Sequence, residues 1–309
     1  IKQIDVNRIH RQLDAGKVVI IAGFQGVTED GTVTTLGRGG SNVTLVAVAA
    51  ALDAECENYT DVDGIFTADP RLVPNARKIN RISYDEMLEL ASLGASVLHS
   101  RAVELAKKYD VPIHVRNSSN NRKGTWIVAE THDMERIVVS GAALKKDLAG
   151  VTLKNVPDRP GIAARIFHAL AAADIIVDDI IQTEPTRKLA TVSFTVEVTE
   201  LPEARALCRK LCKRMSGMTA KFDDSLAKVS VVGVGMRSHT GVAERMFAAL
   251  AKTRVNIRGI TTSEIKISCI IDQDHGPKAL RAVHDAFDLG SGPAKAPPRK
   301  KPRKPRPKR

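Results

Sequence analysis

The sequence predicts an α/β protein in two tiers: a layered sheet domain with helices on its faces, then two ferredoxin-like βαββαβ units, the first inserted in the second. Three observations carry this prediction. Short apolar runs alternate with alanine-rich helical runs up to about residue 130, as in a sheet with helical crossovers. Residues 160–182, "PGIAARIFHALAAADIIVDDIIQ", then recur without a gap as residues 240–262, "TGVAERMFAALAKTRVNIRGITT", 80 positions on. Finally, the second copy lacks a last strand, and an unattached strand-like run, "RIVVSGAAL" at 136–144, stands just upstream of the first.

Taken in order, "KVVIIAG" (17–23) reads as a buried strand bounded by glycines, and Asp30-Gly31 within "VTEDGTVTTL" as a hairpin turn. "TLGRGGSNVT" leads into "VTLVAVAAALDA", a buried helix; "CENYTDV" returns as a strand. "DGIFTADPRLVPNARK" is a long loop marked by Gly64, Pro70 and Pro74. Helices near 83–92 and 97–109 lead to strands "VPIHVRN" and "TWIVA", for which parallel pairing is expected. In the repeat, Gly161, Ala163, Arg165, Phe167, Leu170 and Ile180 recur as Gly241, Ala243, Arg245, Phe247, Leu250 and Ile260. Each copy reads strand, glycine-opened helix, strand, strand, helix. The first ends in a sixth element, "MTAKFDD", whereas the second stops after "GPKALRAVHDAF", so 136–144 is expected to complete the second sheet. The expected units are 1–130, 149–225, and 134–146 with 226–289, followed by a disordered basic tail over 290–309.

The formal charge of +12 is mostly local. The last sixteen residues hold nine Lys/Arg, five prolines and no acid, so the rest of the chain carries about +3. Such a tail adheres to polyanions in a salt-dependent way, and specific nucleic-acid binding is not expected. No apolar run reaches 18 residues, which argues against a membrane helix. Cys208 and Cys212 lie i,i+4 on a helix without the further ligands of a zinc site, so the four cysteines read as reduced and the setting as cytoplasmic. The chain starts with Ile1 in a polar, amphipathic stretch, and an upstream segment is expected.

Several stretches imitate other motifs. "GVGMRS" (233–238) has Ser238 in place of the third dinucleotide-loop glycine, and "DVDG" (61–64) lacks the later ligands of a calcium loop. His99 and His114 have no metal-ligand spacing and read as structural or surface residues. "GRGGSN" (37–42) does not match the phosphate loop GxxxxGK[ST]. Its physical case is a run of backbone N–H groups at a helix start, with Arg38 able to grip a carboxylate through two bonds. A structural turn fits the same residues.

The conjunction of "GRGGSN" with "YTDVDGIFTADPRLVPNARKI" (59–79), "ISYDEMLELASLGASVLHSRAVELA" (82–106) and the repeat resembles the aspartate kinase branch of the amino-acid kinase family, whose paired repeats are ACT domains. The resemblance covers residues 15–289. It implies phosphoryl transfer from Mg-ATP, as a substrate, to the β-carboxylate of L-aspartate, the first step toward lysine, threonine and methionine, with no tightly bound protein metal. It implies that Arg38, Gly39, Gly40, Ser41 and Asn42 face aspartate, and that Thr60, Asp61, Phe66 and Arg71 line the ATP site. Positioning and charge neutralisation carry most of such a reaction. The family's catalytic lysine sits in a KFGG(T/S) segment that no residue of this chain matches, so no catalytic residue is assigned. Asn42 stands in for an aspartate that helps organise that lysine; Ser96 and Ser100 depart from a common lysine and proline. The chain alone is therefore expected to be inactive.

The repeats carry a second expectation. In "VPDRPGIAARIF" a glycine-opened helix offers free N–H groups to a carboxylate, and Asp158 offers an acceptor to an ammonium. An N-terminal cap without ligand fits the same residues. The resemblance implies feedback by lysine, threonine or both, with Asp158, Gly161, Ile162, Ala163 and Gln182 contacting effector in the first repeat and Ser263 and Glu264 in the second. It also implies a homodimer or higher oligomer through the ACT units. The rival expectation is a non-catalytic regulatory subunit that binds lysine or threonine.

Overall fold

The structure is a computed structural model that describes residues 1, 3–94, 97–186, 188–215 and 217–291; Ser96 and the tail beyond Ser291 lie outside the described residues. It opens with α1, Val6–Asp14, where the Asp5 carboxylate accepts from the Arg8 N–H at 3.1 Å. The Asp30-Gly31 turn forms its hairpin: β1, Gln25–Val27, pairs antiparallel with β2, Val33–Thr35, and Gly31 takes φ +85°. Then come α2 (Gly40–Leu52), β3 (Cys56–Thr60), β4 (Arg81–Ser83), α3 (Tyr84–Ser92), α4 (Ser100–Tyr109), β5 (Ile113–Asn117) and β6 (Thr125–Val128).

Helix α2 ends on Asp53 and α4 on Asp110, both left-handed, a conformation that a short polar side chain tolerates. Helix α3 starts with a reciprocal cap: Ser83 Oγ accepts from Glu86 N–H while the Glu86 carboxylate accepts from Ser83 N–H. Val46, Met87, Val103, Ile113 and Ile127 meet in the fully buried core of this tier.

Its sheet has the order β3-β5-β6-β4. Two expectations are corrected here. Pairing is parallel for β3–β5 and β4–β6 but antiparallel for β5–β6, because a few turn residues join those two strands and cannot make a crossover. Residues 17–23 form no strand: Val18 and Ile20 are more than 90% exposed, with no ladder partner among the described residues. A β-run is stable only when paired, however apolar its sequence.

The repeats share one six-stranded sheet. Its elements are β7 (Gly141–Pro157), α5 (Ile162–Ala171), β8 (Asp178–Gln182), β9 (Leu189–Glu197), α6 (Leu201–Arg214), β10 (Thr219–Val232), α7 (Val242–Lys252), β11 (Gly259–Thr262), β12 (Lys266–Asp272) and α8 (Gly276–Ala286). The strand order is β11-β12-β10-β7-β9-β8. Strands β7 and β10 each run through both units: Val232 pairs with Gly141 at one end and Thr219 with Lys154 at the other. The start of β7 thus belongs to the second unit and its remainder to the first, which is the insertion the repeat predicts. Register shifts at Asp223/Leu226 and Leu226/Lys228, with Asp147 at φ +60°, mark the joint.

The strand starts at Gly141 rather than 136. Residues 137–139 instead cross the Gly233–Gly235 turn, where a Cβ on Gly233 would lie 2.4 Å from the Val138 carbonyl oxygen. The glycines of "GVGMRS" therefore serve this backbone crossing. Behind the sheet, α5 and α6 cover one core and α7 and α8 another; Cys208 and Cys269 sit reduced in these cores. No helix among the described residues is long and apolar enough to cross a membrane.

Candidate substrate, nucleotide and effector sites

The "GRGGSN" loop starts α2. Gly37 and Gly39 both take left-handed φ, +74° and +73°, and Gly39 caps the helix without any side-chain bond. The first-turn N–H groups thus lack a side-chain acceptor at the positive end of the helix dipole. Arg38 and Ser41 are exposed beside them. Asn42 points back to the sheet, its Nδ2 donating to Asn58 Oδ1 of β3 at 3.4 Å. Because α2 runs antiparallel to the strand it precedes, this bond sets the loop at the carboxyl end of β3. Thr60 and Asp61 lie at that end, linked by a 3.1 Å bond from Thr60 Oγ1 to Asp61 Oδ1. Loops at this rim are where open α/β sheets bind ligands.

Two residues that sequence reasoning set aside or missed hold the loop. His99 caps α4, and its ring fills the space that a Cβ on Gly39 would need, 2.3 Å away. Arg101 donates from Nη1 to the Leu36 carbonyl at 2.9 Å and the Arg38 carbonyl at 3.4 Å. Neither leaves a local signal, since their partners lie 60 or more residues upstream.

The first acidic residues of the next loop are fixed too. Asp63 accepts from Asn117 at 2.8 Å, Asn120 at 3.0 Å and Arg122 at 2.8 Å, which holds its carboxyl below the usual range. "DVDG" is thus a turn tied to the β5–β6 connection. Phe66 bridges to Lys78, and Lys78 Nζ donates to the carbonyls of Lys123 and Gly124. Burial pushes the Lys78 pKa down. Arg71 is exposed and paired with Asp69 at 2.8 Å.

The effector candidates separate into two places. Gly161 caps α5 at φ +89° with open space around it, Ile162 is buried, and Asp158 and Ala163 are exposed. Asp158 donates its N–H to the Lys188 carbonyl, which fixes the turn and leaves its carboxylate outward. Gln182 ends β8, beyond β9 from the end of β7. Ser263 and Glu264 form the β11–β12 turn, at the opposite end of the long β7–β10 ladder. Fourteen residues of strand separate the two ends, about 45 Å, so they cannot meet on one ligand within a chain. Glu264 instead pairs with Arg237, which also pairs with Glu130. The geometry therefore sets Arg38, Ser41, Asn42, Thr60 and Asp61 at one rim and divides the effector candidates between two distant turns.

Residues 1–117 match the amino acid kinase family, and residues 151–213 and 229–287 each match the ACT domain. The chain is 49% identical to an aspartate kinase of Stutzerimonas stutzeri over 291 residues, 94% of this chain and 71% of that protein. It is 50% identical to the aspartokinase of Helicobacter pylori over 294 residues, 94% of this chain and 72% of that one. The fold superposes on the crystal structure of Clostridium acetobutylicum aspartate kinase with a TM-score of 0.77 at 31% identity, covering 86% of this chain and 62% of that one. For E. coli aspartokinase III in complex with aspartate and ADP the TM-score is 0.73 at 29% identity, covering 91% and 63%. The same E. coli protein has been crystallised with lysine and aspartate. With about half its residues shared over nearly its whole length, this chain belongs to the aspartate kinase family.

Proposed function

We propose that the chain supplies the aspartate-facing and nucleotide-facing loops of an aspartate kinase, transferring the γ-phosphoryl of Mg-ATP to the β-carboxylate of L-aspartate. One observation carries this: the "GRGGSN" helix start and the Thr60–Asp61 strand end share one rim, joined through Asn42 and Asn58. In this reading Arg38 and Ser41 hold the aspartate α-carboxylate, helped by the N–H groups that Gly39 and Gly40 leave accessible. Thr60, Asp61, Phe66 and Arg71 receive the nucleotide, with Arg71 exchanging Asp69 for phosphate. The kinase unit spans 1–130, the first ACT unit 149–225, and the second 134–146 with 226–289.

The family's transition-state lysine has no match among these 309 residues, which in this reading bind the substrates while a KFGG segment supplies that lysine for turnover. The ACT units bind lysine or threonine as feedback effectors, in the cytoplasm.

Calorimetry with aspartate and Mg-ADP tests the reading. Both bind the wild-type chain; Arg38→Ala loses aspartate and Asp61→Ala weakens ADP. Turnover by the chain alone, abolished by Arg38→Ala, refutes the division of labour. Effector binding with no binding of aspartate or nucleotide establishes the rival, a purely regulatory subunit.

A further inference from the structure

The loop between β3 and β4 carries Phe66 and Arg71, yet its middle is held by the second ACT unit. Thr67 and Val73 are each only 1% exposed, and what buries them comes from far along the chain. The Thr67 carbonyl accepts from the Ala142 N–H at 2.7 Å, at the start of β7. Thr67 Oγ1 accepts from the Arg77 N–H at 2.9 Å and lies 3.0 Å from His284 Nε2 on α8. One turn back, Arg281 donates from Nη1 to the Leu72 carbonyl at 3.2 Å. Ala68 and Val73 belong to the same buried cluster as Leu280, Val283 and Phe287. The loop is thus part of the regulatory core while its two ends stay in the kinase sheet.

We infer that α8 positions the nucleotide loop, with His284 and Arg281 as positioning residues, so that nucleotide at the loop and the state of the second ACT unit are coupled. The inference rests on the nucleotide reading of Phe66 and Arg71. Its chemistry is specific. The Thr67 hydroxyl accepts from the Arg77 N–H and shares a second hydrogen bond with Nε2, whose direction follows the imidazole tautomer. Burial lowers the His284 pKa, which favours the neutral ring. Nδ1 has no hydrogen-bond partner among the described residues, with Asp285 Oδ1 3.9 Å away. A leucine would fill this space without an unmatched polar nitrogen, so the ring's use lies in its bond to the loop. Packed interiors transmit such links because they rearrange discretely rather than stretch.

The test follows amide hydrogen exchange of the full chain, with and without Mg-ADP, beside calorimetry. Mg-ADP should slow exchange both in residues 66–77 and in α8. In His284→Leu the nucleotide-free loop should exchange faster while α5 and α6 are unchanged. Affinity for ADP should fall about 5- to 10-fold, the low end of couplings between sites. His284→Gln, which can still hydrogen-bond Thr67, should restore both. Arg281→Gln, at a more exposed position that does not threaten folding, should show a smaller loss of the same kind. If ADP binds and protects the loop while α8 exchanges as before, or if His284→Leu leaves affinity and loop exchange unchanged, the coupling is refuted. If ADP does not bind the wild-type chain, the nucleotide reading fails and the coupling with it. Faster loop exchange in nucleotide-free His284→Leu would in that case support only the mechanical clamp.

Discussion

Gly39 and Gly161 share a left-handed backbone but not its surroundings, so the same substitution should have different consequences. At Gly161 a Cβ meets nothing within 4 Å, and Gly161→Ala should cost only the conformational penalty, about 1–2 kcal/mol. At Gly39 the new atom lands on the His99 ring, which adds an overpacking cost of about 1–3 kcal/mol. Urea unfolding of the two variants checks the ranking, and aspartate affinity should fall only for Gly39→Ala. Asn42→Asp is the contrasting case. A carboxylate there would face Asn58 Oδ1, but the Asn58 amide can flip to present its Nδ2. Its stability should therefore stay within about 1 kcal/mol of wild type, measured in the same way. The loop glycines are legible in the sequence because the left-handed turns they allow are local. His99 and Arg101 are not, because what they grip lies at a distance set only by the fold.

Between elements, the sharpest test is the buried cation of β10. Lys228, 2% exposed, donates to Asp178 at 2.7 Å and Asp179 at 2.9 Å on β8; Asp179 also accepts from Thr195 and Thr261. This group ties the first unit to the second, since Thr261 belongs to β11. Burial opposes the charged forms, but the ion pairs outweigh it: the Asp178 pKa is lowered and the Lys228 pKa raised. The Asp178 contribution is present above its unfolded value, about 4, and is lost as pH falls through the lower folded one. The Lys228 contribution is present below about 10 and is lost as pH rises through the higher folded value. Lys228→Met strands the Asp179 carboxylate and should cost about 3–5 kcal/mol near neutrality. The wild type loses the Asp178 contribution on acidification, whereas Lys228→Met has no such ion pair left to lose. Denaturation at pH 7 and at about pH 3 should therefore show a smaller fall in stability for the variant than for the wild type. In the sequence, the repeat made both βαββαβ units visible because helix periodicity and glycine caps are local. The run 17–23 misled for the converse reason: alternation and apolarity identify a strand-capable segment, whereas pairing decides whether it becomes one.

At the scale of the whole molecule, the proposed effector turns bear on how the chain would assemble. Asp158, Gly161 and Ala163 form an open turn at one end of the long sheet, and Ser263 and Glu264 lie at the other. An amino acid on the first turn would have its carboxylate at the start of α5 and its ammonium at Asp158, both still in water. Held that way it would bind weakly, since exposed charge pairs contribute little. Nearby, β8 is a sheet edge, and Ile176 and Ile180 on that side are 75% and 53% exposed. A second copy laid along this edge would pair the strand, cover the isoleucines and close the turn against water. Effector binding and dimerisation should therefore be linked: lysine or threonine raises the dimer fraction, and apparent affinity rises with protein concentration. Calorimetry at several protein concentrations, with sedimentation in parallel, measures both. Asp158→Ala should weaken binding by about 2–5 kcal/mol, because it leaves the ammonium unmatched in a closed site. Ile180→Lys should weaken effector and dimer together without touching the ligand. Equal affinity at every protein concentration would place the effector on a single chain, and unchanged binding by Asp158→Ala would remove this turn from the site.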